Sequence, residues 1–280
     1  MSILKSSNRL VNQAYKVKRV VKLAQALGAV GLLSFGVAVQ AAAYDVVVTV
    51  QNLVPANGIA FAPFRVGFGS GSFDSFNVGQ TAGPAIVSIA EGGGGGAWFP
   101  AFASADPGAV TGTVGGLLQS GQSASASFRV DSAVNAFFTF AAMAVPSNDF
   151  FIGNDSPTAH RLFDASGNLL LSTIGLKARD IWDAGSETSD ATAAAFLVGG
   201  TNSLRTPQNG VVTSDFAGLA AFNGLTTAGG YVLNSTLTAN TDIYRISFAA
   251  TAVPVPASAA LLALGMLPMT WFARRRKTVQ

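Results

Sequence analysis

Apolar and polar residues alternate with a period of two along much of the middle of the chain. The stretch "YDVVVTVQ" places Val46, Val48 and Val50 on one face of a strand and the intervening residues on the other. The stretches "SASASFRV" at 123–130 and "DIYRISFAA" at 242–250 alternate in the same way. This period is typical of β-strands that bury one face and expose the other. We therefore expect all three segments to be half-buried strands.

Segments of other patterns lie between these strands. The run Ala136–Val145 is apolar almost throughout, which predicts a central strand buried on both faces. Helical periodicity is confined to 84–91 and 190–198, each long enough for two or three turns. Clusters of Gly, Ser and Asn separate the segments, and Gly92–Gly96 predicts a loop. Together these features predict an all-β fold, an antiparallel β-sandwich with short helices in the connecting loops.

The N-terminal residues 1–43 have the organisation of a secretory signal peptide. Basic residues precede the apolar run Leu23–Val39, and "VQAAA" supplies small residues for a cleavage site just before Tyr44. An uncleaved membrane anchor is the alternative. Either interpretation predicts export across the inner membrane.

The C-terminal residues 253–280 contain three elements in a fixed order. A proline-spaced motif, "VPVP", is followed by the uncharged, mostly apolar run Ala257–Ala273 and then by the basic cluster Arg274–Lys277. A helix of that length spans about 26 Å, enough to predict a transmembrane helix, and the basic cluster should stay cytoplasmic. The segment resembles the PEP-CTERM sorting signals of Gram-negative bacteria, although Val-Pro-Val-Pro-Ala replaces the usual Pro-Glu-Pro.

This resemblance implies recognition by exosortase-type sorting machinery. The chain would then be membrane-anchored through its C-terminal helix, displayed at the cell surface, or secreted after processing. A plain single-pass anchor is the alternative. In both cases the domain expected at 44–252 lies outside the cytoplasm.

Charge is distributed unevenly along the 280 residues, of which only 11% are charged. The formal net charge is +3, but residues 44–252 hold seven basic and fourteen acidic side chains, a balance of −7. The basic residues are concentrated at the two ends, as targeting segments require. We therefore expect no binding of nucleic acid.

Few residues could support enzymatic chemistry. The chain has one histidine, His160, and no cysteine. A Ser-His-Asp system would depend entirely on His160, a G-x-S-x-G motif is absent, and zinc would lack its usual ligands. We expect the protein not to be an enzyme.

Acidic residues gather in the stretch "IWDAGSETSD". Two carboxylates about 4 Å apart repel by about 4 kcal/mol at an effective dielectric constant of about 20. Gly185 allows a sharp turn between Asp183 and Glu187, so both could point at one hard cation, which would convert repulsion into binding. Asp180 and Asp190 are interpreted as solvated loop charges.

A third carboxylate comes from "MAVPSNDFFIGND", where Asp149 follows the apolar strand after a proline. This segment, followed about thirty residues later by "IWDAGSETSD", resembles the spondin N-terminal domain. The resemblance implies an antiparallel β-sandwich and calcium ligands at Asp149, Asp183 and Glu187. It covers Tyr44 to about Ala250, with Ser186 and Glu187 in place of the family's Thr and Asp.

These observations predict an exported cell-surface or extracellular-matrix protein with a calcium-binding domain and an adhesive or structural role. Its partner would be an extracellular polysaccharide or another surface protein. One alternative is a carbohydrate-binding module, with "AWFPAF" around Trp98 as an aromatic platform. A second alternative is a glycan hydrolase that uses paired carboxylates.

Overall fold

The computed structural model describes residues 43–254, which fold into two antiparallel β-sheets with two short α-helices. The strands are β1 (Ala43–Asn52), β2 (Ala60–Phe61), β3 (Phe64–Gly69), β4 (Val110–Val114), β5 (Ser123–Asp131), β6 (Phe137–Val145), β7 (Phe150–Gly153), β8 (Thr173–Lys177), β9 (Ile181–Asp183), β10 (Thr213–Ser214) and β11 (Asp242–Ala252). The α-helices are α1 (Pro84–Ala90) and α2 (Trp98–Ala105), and 3-10 turns occupy Ala178–Asp180, Asn202–Leu204 and Gly218–Phe222.

The two sheets share one hydrophobic core. The four-stranded sheet has the order β5-β1-β11-β8, and the seven-stranded sheet has the order β10-β9-β7-β6-β3-β4, with β2 paired to β6. Val48 and Ile246 of the first sheet and Phe140 and Ile181 of the second belong to the same buried cluster. The expected all-β architecture, with short helices between strands, is confirmed.

Alternation in the sequence correctly predicted which faces are buried. Val46, Val48 and Val50 are fully buried in β1, whereas Val47 between them is 37% exposed. Strand β5 alternates in the same way, and its serines face outward along the edge of the four-stranded sheet. The period of two therefore predicted both the positions of these strands and the face of each strand that packs into the core.

Strand β6 is buried on both faces, as its continuous apolar pattern predicted. Its inner face joins the main core through Phe138 and Phe140. Its outer face is covered by α1, which contacts α2, and Ala141 belongs to a second cluster that includes Trp98 and Phe102 of α2. The helices thus extend the core beyond the sandwich itself.

One predicted helix is absent and one helix was not predicted. Residues 190–198 form turns and isolated bridges, because their backbone groups bond to other segments, as in Ala195 N–H to the Ser147 carbonyl at 3.1 Å. The prediction of a helix there was wrong. Residues 98–105, by contrast, form α2, whereas the sequence suggested only an aromatic platform.

The two ends of the described chain lie side by side. The Val253 N–H donates to the Ala43 carbonyl at 2.8 Å, and Asp131 at the end of β5 pairs with Ala43. Strand β6 then runs away from this corner for nine residues, about 30 Å, to the loop that follows Val145. That loop therefore lies at the opposite end of the sandwich from the two chain ends.

The expected signal peptide at 1–43 and sorting signal at 253–280 lie outside the described residues except for positions 43, 253 and 254. This includes the expected transmembrane helix at 257–273. Within residues 43–254, none of the helices has the length and apolar character needed to cross a membrane.

Candidate functional site

Two adjacent strands bring Asp149 and Asp183 together. Asp149 immediately precedes β7, and Asp183 is the last residue of β9, where it pairs with Phe150. The Ala184 N–H donates to the Asp149 carbonyl at 3.1 Å, which continues the ladder by one step. The two acidic segments, separated in sequence, are therefore joined along their backbones.

The carboxylate of Asp149 is enclosed by the 183–190 loop. Its Oδ2 accepts hydrogen bonds from the backbone N–H of Ser186 at 2.7 Å, from the Ser186 hydroxyl at 3.2 Å and from the Glu187 N–H at 2.9 Å. Asp149 is only 1% exposed. Burial, with a further contribution from the charge of Asp183, raises the pKa of Asp149 to about 6, although the three donors oppose this shift.

Asp183 closes a tight turn at the start of the same loop. Its Oδ1 accepts a hydrogen bond from the Gly185 N–H at 2.6 Å, and Gly185 has a φ of +63°. A side chain is disfavoured there, since a Cβ on Gly185 would lie 2.7 Å from the Val211 nitrogen. Burial raises the pKa of Asp183, the Gly185 N–H opposes this, and the charge of Asp215 raises the pKa further.

Glu187 is joined to Asp149 through its backbone, but its carboxylate lies in a neighbouring polar cluster. It is 1% exposed, and its Oε1 accepts a hydrogen bond from Asn148 Nδ2 at 2.8 Å. Its Oε2 is buried and has no hydrogen-bond partner among residues 43–254. Burial raises the pKa of Glu187, and the charge of Glu91 raises it further. The hydrogen bond from the Asn148 amide and the charge of Arg205 lower it. Arg205 itself forms an ion pair with Glu91.

The three acids predicted from the sequence are therefore only partly assembled. The charge of Asp183 acts on Asp149, whereas the charges that act on Glu187 are those of other residues. Across residues 43–254, no three Asp, Glu, His or Cys side chains converge closely enough to hold a metal ion. Each of the three acids nevertheless has one oxygen fixed by hydrogen bonds, at Asp149 Oδ2, Asp183 Oδ1 and Glu187 Oε1.

The other oxygen of each acid has no donor within the described part of the chain. For Glu187 this oxygen, Oε2, is buried. A buried carboxylate oxygen without a partner costs several kcal/mol in general, which makes it a natural position for a cation. The donor set, all hard oxygen, fits calcium rather than a softer metal.

Sequence reasoning missed three residues of this region. Asn148 is fully buried between Glu187 and Asp190, Asp215 lies beside Asp183, and Glu91 lies beside Glu187. Asn148 directly precedes Asp149, but no sequence pattern marks it as a site residue. Asp215 and Glu91 are distant in the sequence, and no local pattern marks them.

The acids interpreted as solvated loop charges form local caps. Asp180 Oδ2 accepts a hydrogen bond from the Lys177 N–H at 2.8 Å. Asp190 is exposed, and hydrogen bonds from the backbone and hydroxyl of Thr192 hold the pKa of that carboxyl below its usual range. Both residues stabilise turns that shape the loop.

The residues behind the alternative functions occupy other environments. Trp98 is fully buried and packs against Phe73 and Phe102, so it cannot present a ring face to a sugar. His160 stacks on Phe140 with ring centroids 5.7 Å apart, and burial lowers its pKa. Neither environment favours sugar binding at Trp98 or catalysis by His160.

Known proteins add no identification to this geometry. Comparison with protein-family models and with curated protein sequences finds no match for this chain.

Proposed function

We propose that this chain is an exported cell-surface or extracellular-matrix protein whose β-sandwich binds a calcium ion at Asp149, Asp183 and Glu187. Its role is adhesive or structural and does not involve catalysis. The ion fixes the loops at one end of the sandwich, and that end carries the contact with a polysaccharide or another surface protein.

The observation that carries this proposal is the burial of Asp149 without a basic partner. The charge that acts on it is a second carboxylate, Asp183, and no Lys, Arg or His side chain of residues 43–254 forms an ion pair with it. A buried carboxylate costs several kcal/mol unless a cation or hydrogen bonds compensate it, and the three donors at Oδ2 compensate Asp149 only in part, since its pKa is still raised to about 6. When bound, calcium supplies the missing positive charge.

The second support is that the two oxygens of each carboxylate differ, since one is fixed by hydrogen bonds and the other is not. Backbone and amide donors orient one oxygen of Asp149, Asp183 and Glu187, and the other oxygen of each is available as a ligand. Calcium takes about six to eight oxygen ligands, so backbone carbonyls and water would complete the shell. The Glu187 side chain would have to turn toward the two aspartates, a movement within reach of its three rotatable bonds.

The proposed location follows from the two chain ends. An exported protein that is sorted by exosortase-type machinery and anchored through residues 257–273 would hold the sandwich outside the cytoplasm. The Val253–Ala43 contact brings both ends of the domain to one corner, with the acidic loops at the far end. A tether at that corner leaves the loops free to meet a partner.

Burial argues against the two alternatives. A carbohydrate-binding platform at "AWFPAF" would need Trp98 at the surface, and a hydrolase would need substrate to reach Asp149. Trp98 is 0% exposed and Asp149 is 1% exposed. The proposed role is therefore a structural calcium site.

Calorimetric titration of the purified full chain with calcium tests the proposal, together with thermal melts in calcium and in chelator. We expect saturable binding near one ion per chain, and a gain of about 2.7 kcal/mol in unfolding free energy at a calcium concentration one hundred times the Kd. Asp183→Ala should lose both effects. Absence of binding at millimolar calcium would overturn the metal site.

A further inference from the structure

Asn148 connects the two ends of the acidic loop. Its side chain is 0% exposed and makes three hydrogen bonds. The amide Nδ2 donates to Glu187 Oε1 at 2.8 Å and to the Asp190 carbonyl at 3.1 Å, and Oδ1 accepts from the Asp190 N–H at 3.0 Å. The Asn148 side chain thus fixes the Glu187 carboxylate and both backbone groups of Asp190, three positions after Glu187.

Asn148 and Asp149 hold complementary parts of the loop. Asp149 accepts from the N–H groups of Ser186 and Glu187, and Asn148 binds the Glu187 side chain and the backbone of Asp190. An amide donates two hydrogen bonds, here to Glu187 and to the Asp190 carbonyl, and also accepts one from the Asp190 N–H, whereas a hydroxyl has only one hydrogen to donate. An aspartate would place a further negative charge against Glu187, and an alanine would leave these groups buried and unpaired.

We propose that Asn148 is a positioning residue of the cation site. It carries no charge, but its two bonds to the Asp190 backbone fix the course of the loop that contains Asp183 and Glu187, and these bonds do not depend on where the Glu187 carboxylate points. This inference rests on the proposed calcium function and adds a residue to which neither the acidic motif nor carboxylate chemistry points. Loss of its amide should weaken cation binding although all three acids remain.

The chain offers a closely matched control in Asn52. Asn52 is also 0% exposed, and its amide also donates two hydrogen bonds, to the carbonyls of Ile59 and Leu118, both at 3.0 Å. Its Oδ1 accepts one hydrogen bond, from the Val54 N–H at 3.0 Å. Asn52→Ala and Asn148→Ala therefore remove the same number of hydrogen bonds from equally buried sites, and differ in that one of the Asn148 bonds goes to a carboxylate.

The experiment measures calcium affinity and unfolding free energy of the full chain for the wild type, Asn148→Ala and Asn52→Ala. Asn148→Thr, which nearly preserves the side-chain volume, is included in case the alanine variant does not fold. Europium luminescence decay in H2O and in D2O, with Eu3+ in place of calcium, reports how many waters the bound ion keeps. A residue that only stabilises the fold would not change that number.

We expect both Asn148 variants to lose at least about tenfold in calcium affinity, the scale typical of residues that orient metal ligands, and to bind Eu3+ with more waters. Asn52→Ala should lose comparable stability but keep the wild-type affinity and hydration. Wild-type affinity and hydration in folded Asn148→Thr would overturn the positioning role while leaving the calcium site intact. Absence of calcium binding by the wild type would instead overturn the proposed function, and this inference with it.

Discussion

The Glu187 N–H donates to Asp149 Oδ2 at 2.9 Å, joining residues 38 positions apart in the sequence. This bond, with its neighbour from Ser186, turns the acidic loop back over a buried carboxylate. The loop therefore depends on Asp149 for its backbone hydrogen bonds, and Asp149 depends on the loop for its burial. Changes at either end should affect both folding and cation binding.

Substitution Asp183→Asn should reduce calcium affinity at least about tenfold while the protein stays folded. The Asn side chain can still accept the hydrogen bond from Gly185 N–H, now 2.6 Å from Asp183 Oδ1, so the turn survives while the charge is lost. Calorimetry on the full chain measures the affinity. Asp190→Asn, in the same loop but exposed, serves as the control and should bind calcium as the wild type does.

If Asp190→Asn weakened binding as much as Asp183→Asn, general loop charge rather than a specific ligand would be responsible.

The pKa of Asp149 gives a pH dependence of stability with a definite sign. The pKa rises from 3.8 to about 6 on folding, so the folded protein binds this proton more tightly than the unfolded chain. The contribution of Asp149 to the unfolding free energy is therefore fully present below about pH 4 and is lost as the pH rises through about 6. The loss amounts to about 3 kcal/mol.

Urea unfolding in calcium-free buffer between pH 4 and pH 7 measures this effect as the difference between the wild type and Asp149→Asn. The wild type should lose stability relative to the variant as the pH rises, and added calcium at pH 7 should restore it. A difference that stays constant across this range would contradict the buried, uncompensated carboxylate.

Substitution Gly185→Ala should lower the unfolding free energy by at least about 1 kcal/mol and weaken calcium binding. The residue has a φ of +63°, and a Cβ would meet the Val211 backbone at 2.7 Å, so both conformation and space exclude a side chain. Thermal melts and calcium titration measure the two effects.

Gly175→Ala is the matched control for that change. Gly175 lies in β8, and no atom of the described residues lies within 4 Å of a Cβ built there. We expect unchanged calcium affinity and a gain of about 0.5 kcal/mol, because alanine restricts the unfolded chain. Equal losses in both glycine variants would mean that the conformation of Gly185 is not special.

Substitution Tyr244→Phe should stabilise the protein by about 1 kcal/mol. The ring packs against Phe61 and Phe64 in the main core, with centroids 4.8 and 5.3 Å away, but its hydroxyl is buried without a hydrogen-bond partner in the described part of the chain. Removing the hydroxyl removes a desolvated polar group and keeps the packing. Urea unfolding measures the change.

Tyr231→Phe should have the opposite effect. The Tyr231 hydroxyl donates to the Gly58 carbonyl at 2.9 Å, so its loss should cost about 1 kcal/mol. Destabilisation by Tyr244→Phe would indicate that an internal water or another donor satisfies that hydroxyl.

The sequence by itself determined the strands and the sides on which they are buried. Alternation in β1 and β5 and the continuous apolar run of β6 predicted which side chains enter the core, because a strand that buries one face must repeat every second residue. The helix at Pro84–Ala90 was predicted as well. Local patterns suffice wherever burial follows the period of the backbone.

Only the tertiary structure decided which residues surround the acidic loop. The failed helix at 190–198 shows the reason, because its backbone groups bond to distant segments, whose positions no local pattern contains. The burial of Trp98 likewise depends on α2 packing against α1 and the seven-stranded sheet.

The same division holds at the candidate site. From the sequence, Asp149 was expected at a strand end, and its grouping with Asp183 was implied by the resemblance of the two acidic segments to the spondin N-terminal domain. The sequence did not predict that the Asn148 side chain would form hydrogen bonds with the loop, or that the Glu187 carboxylate would lie beside Glu91. Side-chain orientation in a loop depends on hydrogen bonds made across the fold, and these exist only once the strands have brought the segments together.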